Sequence, residues 1–150
     1  MNNVEFIQEK INQSINQDFQ KQNIKFDIVK LRDALDQILK IRGFDTSLGI
    51  PHFAAIPLTQ IPGDPDSVKG NKARGVYWTK PDSSGQEVSR DVKIDESQYT
   101  EFIKEFEHTY FKEVFDELRK HYKLGRVRLL LKEPRSTLSW HRDPEPRLHI

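Results

Sequence analysis

Between Lys25 and Phe44 the apolar positions fall three and four residues apart. Ile28, Leu31, Leu35, Ile38 and Leu39 mark one side of a predicted helix, with charged residues between them. Asp27 stands where an N-cap belongs, and Gly43 where a helix stops. A thinner stripe (Val4, Ile7, Ile11, Ile15, Phe19) runs through the Asn-, Gln- and Lys-rich residues 1–22 and predicts a marginal helix ahead of it. The strongest pattern opens at Asp95 or Ser97. Tyr99, Phe102, Ile103, Phe106, Tyr110, Val114 and Leu118 recur at helical steps, Phe111 and Phe115 widen the stripe, and Leu124-Gly125 follows. This predicts one long helix over 97–122, with Thr109 as a kink point. A face so aromatic is expected to pack on a sheet.

Elsewhere the period is two. Val127, Leu129 and Leu131 alternate with Arg126, Arg128 and Leu130, which predicts a strand. Phe53 to Leu58, Gly75 to Thr79, and Val88 to Ile94 are further strand candidates, with PGDPDSVKGNK read as an exposed loop. The Pro and Gly residues scattered over 44–95 exclude long helices there. Past Arg126, Pro134 turns the chain and Thr137 to Trp140 is extended. Pro144 and Pro146 hold a short turn, and Leu148 to Ile150 begins another strand. The expected class is α+β, as one domain over 1–150: a helical lead-in (1–45), then a β-rich part (46–150) that contains the long helix.

Composition narrows the function classes. Hydrophobic residues make up 35% and charged residues 31%, a polar balance, yet fifteen aromatics argue for a packed core. With 24 basic and 23 acidic side chains the net charge is +1, which gives no bulk electrostatic case for nucleic acid or an anionic membrane. The absence of Cys removes disulfides, thiolate metal sites and Cys nucleophiles. No apolar run approaches the ~20 residues that span a bilayer, and Met1-Asn2-Asn3-Val4-Glu5 lacks the order of a signal peptide. A soluble cytoplasmic protein is expected.

The chemistry concentrates in RVRLLLKEPRSTLSWHRDPEPRLHI, residues 126–150. In an extended chain His141 and Asp143 project to the same side. An imidazole and a carboxylate so placed supply two of the three protein ligands of a non-haem Fe(II) facial triad. Arg147-Leu148-His149 follows, and Trp140 stands beside the pair. The bland alternative is a solvated hairpin with exposed ion pairs worth little. His108 and His121 fall within the predicted helix and read as surface histidines, and His52 stays unassigned. A zinc hydrolase would need a general base, for which Glu145 is the near candidate, and a third ligand.

These residues carry a resemblance. GRVRLLLKEPRSTLSWHRDPEPRLHI resembles the metal-binding region of the Fe(II)/2-oxoglutarate-dependent oxygenases of the aspartyl/asparaginyl β-hydroxylase-like family. TYFKEVFDELRKHYKLGR and the Phe26 to Leu39 helix are similar to the N-terminal part of phage-type members. The likeness is specific over 97–150 and loose over 24–96. It implies a double-stranded β-helix (a cupin-like jelly roll), present here as an incomplete N-terminal portion with the helices packed on it.

The resemblance also implies Fe(II) held by His141 and Asp143. Arg147 and His149 would contact the carboxylates of the co-substrate 2-oxoglutarate, with Arg128 a further candidate. His149 stays open as an alternative third iron ligand. Trp140 is expected beneath the site. The implied activity is hydroxylation of an unactivated C–H bond in an amino-acid-like or peptide substrate. Family members continue past this point to a distal His, so a complementing C-terminal segment, or self-association through the open sheet edge, is expected. The alternative is a non-catalytic α+β remnant or interaction module without a working metal site.

Overall fold

Asp27 does what its position predicts. Its carboxylate accepts from the amides of Val29 and Lys30, and the helix α1 (Ile28–Ile41) begins there. The computed structural model describes residues 20–45, 53–69, 78–79, 94–135, 141–142 and 146–150, with Phe53, Trp78, Thr79, His141 and Arg142 described by their backbone alone. The predicted helix over 1–22 and the strand at Val88 to Ile94 fall almost wholly outside those residues. So does the extended segment Thr137 to Trp140. The helix buries Ala34 and Ile38, while Ile28 and Leu39 face outward, so the buried face is turned from the predicted stripe. It ends at Ile41, ahead of Gly43. Arg42 is extended there, and its amide still donates to the Ile38 carbonyl.

The centre of the fold is the stretch 53–60. Its first half, β1 (Phe53–Pro57), pairs antiparallel with β5 (Arg128–Lys132), with Ala54 opposite Leu131 and Ile56 opposite Leu129. Its second half, β2 (Thr59–Gln60), pairs antiparallel with β4 (Glu101–Phe102). Leu58 is the switch between partners: its amide donates to Val127 and its carbonyl accepts from Ile103. Ala55 bonds Asp45 on the edge away from β5, so by alternation Pro57, which has no N–H, also turns that edge outward and costs the β1–β5 ladder nothing. A third ribbon pairs β3 (Trp78–Thr79) with β6 (His141–Arg142).

The long helix predicted over 97–122 is not formed. In its place come a 3₁₀ turn at Glu96–Gln98, the short β4, a second 3₁₀ turn at Lys104–Phe106, and then α2 (Tyr110–Arg119). The backbone of 101–103 is needed for pairing with 58–60, and the aromatic and β-branched residues of YTEFI suit that geometry. Thr109, extended at the N-cap of α2, is where helical geometry starts rather than where it kinks. The apolar stripe itself turns inward for the most part: Tyr99, Phe102, Ile103, Phe106, Val114, Phe115 and Leu118 are buried, and Tyr110 and Phe111 are half-buried.

Phe102, Ile103, Phe106 and Phe115 close around Ile56 and Leu58 from the central stretch and Ile38 from α1, with Phe44, Val127 and Leu129 packed against them. Each fully buried large side chain there contributes about 1.5–3 kcal/mol. Arg42 at the end of α1 forms an ion pair with Glu105.

Three further expectations are corrected. The loop after β2 is not wholly exposed, because Pro65–Val68 form a 3₁₀ turn that buries Ser67 and Val68. Tyr99 holds that turn from below, its hydroxyl donating to the Ser67 carbonyl. Residues 148–150 form no strand and lie exposed. Leu131, expected on the core face with Val127 and Leu129, is 45% exposed, in the second half of β5 where Leu130, Leu131 and Lys132 are all exposed. The described elements are therefore α+β with small antiparallel sheets, and no helix among them is long and apolar enough to cross a membrane.

Candidate functional site

The turn Asp95–Gln98 positions the site's central acid. Asp95 accepts from the Ser97 amide at 3.0 Å and so fixes the turn. This directs Glu96 inward, where its side chain is 8% exposed. Two guanidiniums meet it. Arg126 Nη2 donates to Glu96 Oε1 at 2.9 Å from the segment leading into β5. Arg147 Nη1 donates to Oε2 at 2.8 Å and its Nη2 to Oε1 at 3.4 Å, from the segment after β6.

The Arg126 side chain is 1% exposed, and its guanidinium lies 5.5 Å from the centre of the Tyr99 ring, a cation–π arrangement. Its backbone is anchored on both sides. Thr59 Oγ1 donates to the Gly125 carbonyl at 3.5 Å and accepts from the Val127 amide at 2.8 Å. Gly125 is required here, since a Cβ at that position would sit 2.5 Å from the Glu96 carbonyl oxygen.

Burial by itself pushes the Glu96 carboxyl up. The hydrogen bond from Arg147 and the charges of Arg126, Arg147 and Arg128 outweigh it, and the group is held below the ordinary glutamate range. Burial lowers the Arg126 guanidinium, and Glu96 and Tyr99 oppose that. Burial raises the Tyr99 phenol, with the nearby Glu96 charge adding to it and Arg126 opposing. Taking such charges out of water costs several kcal/mol per ion, so the arrangement persists only because charge-assisted hydrogen bonds and opposite charges offset that cost.

The sequence-predicted residues divide into three groups. Arg147 and Arg128 are brought to one carboxylate: Arg147 bonds it directly, and Arg128, half-buried at the start of β5, acts on it through its charge. His141 lies in β6 opposite Thr79, in extended backbone. Its side chain, together with Asp143, Trp140, Glu145 and His52, lies outside the described residues. His149 is exposed on the segment that carries Arg147.

His108 and His121 are exposed as expected, and His121 Nε2 sits 3.3 Å from Glu117 Oε1. Among the described residues no group of three His, Asp or Glu side chains gathers to hold a metal ion.

Sequence reasoning missed Glu96 and Arg126. Glu96 stands in no motif of the sequence, and the period-two pattern sets Arg126 on the strand face opposite Val127 and Leu129. Neither carries a local signal, because their partnership exists only across the fold. What the arrangement offers chemically is a guanidinium cluster that binds carboxylate in two-point geometry. Family models, curated proteins and solved structures give no match to this chain.

Proposed function

We propose that the chain is a Fe(II)- and 2-oxoglutarate-dependent dioxygenase related to the aspartyl/asparaginyl hydroxylases, acting on an amino-acid-like or peptide C–H bond. The observation that carries the reading is the placement of His141 in extended backbone, paired with Thr79. An H-x-D pair acts as two neighbouring ligands only when the chain is extended, because residues two apart then share a face. In this reading His141 and Asp143 hold the metal, and the antiparallel ribbons belong to a double-stranded β-helix.

The fit to a carboxylate co-substrate rests on Arg147, whose guanidinium engages a carboxylate through both terminal nitrogens. His149 lies two residues on, and Arg128 adds positive charge from β5. When bound, Fe(II) with 2-oxoglutarate supplies O₂ activation, with decarboxylation of the co-substrate to succinate and CO₂ coupled to hydroxylation of substrate. The protein's own residues fix ligand direction and hold the co-substrate carboxylates. The exposed Leu130 and Leu131 of β5 support pairing with a further strand or a second copy.

A second reading is favoured by one observation: the Arg147 fork is already engaged by Glu96. That suits a non-catalytic module in which the motif's arginine is a structural tie. Calorimetric titration with Mn(II), with and without 2-oxoglutarate, separates the two. The oxygenase reading expects binding that His141→Ala and Asp143→Ala each weaken by roughly tenfold or more, at least what the loss of a group hydrogen-bonded to a ligand costs. Equal heats from all three proteins would leave only the module.

A further inference from the structure

Glu96 holds two guanidiniums that are not equivalent. Arg126 is built into the fold: its side chain is 1% exposed and the backbone around it is bonded to Thr59. Arg147 reaches Glu96 from a segment whose other residues, Pro146, Leu148, His149 and Ile150, are exposed, and its own side chain is 23% exposed.

The contact with Arg147 is two-point, Nη1 to Oε2 and Nη2 to Oε1. A guanidinium binds a carboxylate most strongly through two parallel N–H donors. A second carboxylate cannot use the same pair of nitrogens while Glu96 holds them. Withdrawal of Arg147 would still leave Glu96 hydrogen-bonded to Arg126 at 2.9 Å, so its buried charge keeps a direct counter-ion. That lowers the cost of the exchange, because an uncompensated buried charge is what makes breaking such a pair expensive.

We propose that Glu96 is an internal carboxylate occupying the Arg147 fork, and that a small carboxylate from solution displaces it there. The identity of that ligand as 2-oxoglutarate rests on the function proposed above; the exchange itself rests on the Glu96–Arg126–Arg147 geometry. Glu96 thus sets the affinity of the site by competing with its ligand, and Arg126 keeps Glu96 in place when it loses.

The test titrates 2-oxoglutarate into wild type, Glu96→Gln and Arg147→Met, each with and without Mn(II). Gln keeps the shape and an acceptor for Arg126 but removes the competing charge. Glu96→Gln is expected to bind roughly tenfold tighter than wild type, and Arg147→Met to lose binding. Binding that depends on Mn(II) but is equal or weaker in Glu96→Gln overturns the exchange and leaves the iron reading standing. Tightening that is indifferent to Mn(II) supports the exchange and overturns the iron reading. Absence of binding in both wild type and Glu96→Gln overturns both. A measurement on wild type alone guards against a variant that folds poorly. In ¹⁵N-labelled protein the Arg147 Nε resonance, assigned by its loss in Arg147→Met, is expected to shift as 2-oxoglutarate saturates. A resonance that stays fixed at saturation overturns the exchange.

Discussion

Arg147 and Glu96, 51 residues apart in the chain, meet in a two-point fork, and the same carboxylate accepts from the buried Arg126. Truncations of Glu96 and Arg147 are therefore not equal. Glu96→Ala leaves Arg126 charged inside the protein without its direct carboxylate, and is expected to cost about 3–5 kcal/mol, the usual penalty for breaking a buried pair from one side. Arg147→Ala removes a partner that is 23% exposed and leaves Glu96 bonded to Arg126. It is expected to cost about 1–2 kcal/mol. Urea unfolding of the two variants measures the difference. Glu96→Ala no costlier than Arg147→Ala would contradict the burial argument.

The same cluster predicts a pH dependence. Burial raises Glu96, but the Arg147 hydrogen bond and the charges of Arg126, Arg147 and Arg128 overcome it, so the folded carboxyl lies below its ordinary value of 4.5. The unfolded chain then binds its proton at a higher pH than the folded one. The contribution of Glu96 is fully present above the unfolded value and is lost as pH falls through the folded one. Asp95, lowered chiefly by its hydrogen bonds with Ser97, and Glu117, lowered chiefly by its hydrogen bond with Lys120, act in the same direction from the surface. Urea midpoints below pH 4.5 should therefore fall less steeply with acid for Glu96→Gln than for wild type. Parallel curves would show that Glu96 is not held low.

What was legible in the chain follows from how local each signal is. Asp27 caps α1, and Val127 just ahead of β5 and Leu129 within it pack against the core, because a cap and a period-two pattern are both written within a few neighbouring residues. The stretch 97–122 misled because aromatics three and four apart suit a helix and also suit alternating 3₁₀ turns and a short strand. What decided between them was pairing with Thr59 and Gln60, some forty residues away. The site divides in the same manner. Arg147 stood out as part of an R-x-H motif, whereas Glu96 is an ordinary acid in an ordinary turn until the fold brings it to Arg126.

Tyr99 joins the core to the cluster. Its ring lies beneath Arg126, and its hydroxyl, buried, donates to the Ser67 carbonyl at 2.8 Å. Tyr99→Phe keeps the ring and removes only the hydroxyl. A loss of about 0.5–1.5 kcal/mol is expected in chemical denaturation, the net worth of one such hydrogen bond. Tyr99→Leu removes the ring face under Arg126 as well, and should cost clearly more. Equal losses in the two variants would mean that the Arg126 contact contributes nothing measurable.

Two glycines make the last prediction, because they resist substitution for different reasons. Gly63 has φ of +74°, and a Cβ there would meet nothing within 4 Å. Gly63→Ala should cost about 1 kcal/mol through backbone conformation alone. Gly125 has a different constraint: a Cβ would lie 2.5 Å from the Glu96 carbonyl oxygen and 3.0 Å from its carbonyl carbon. Backbone atoms cannot swing aside as a long side chain can, so Gly125→Ala has to push the Glu96 turn away from Arg126. The expected cost is about 2–3 kcal/mol, in the range of overpacking.

The two losses should also combine differently with Glu96→Gln. Gly125→Ala already loosens the Glu96–Arg126 contact, so the double variant is expected to lose less than the sum of the singles. Gly63→Ala, where a Cβ meets nothing within 4 Å, should add simply. Additivity in both pairs would show that the Glu96 turn accommodates the methyl group without releasing Arg126.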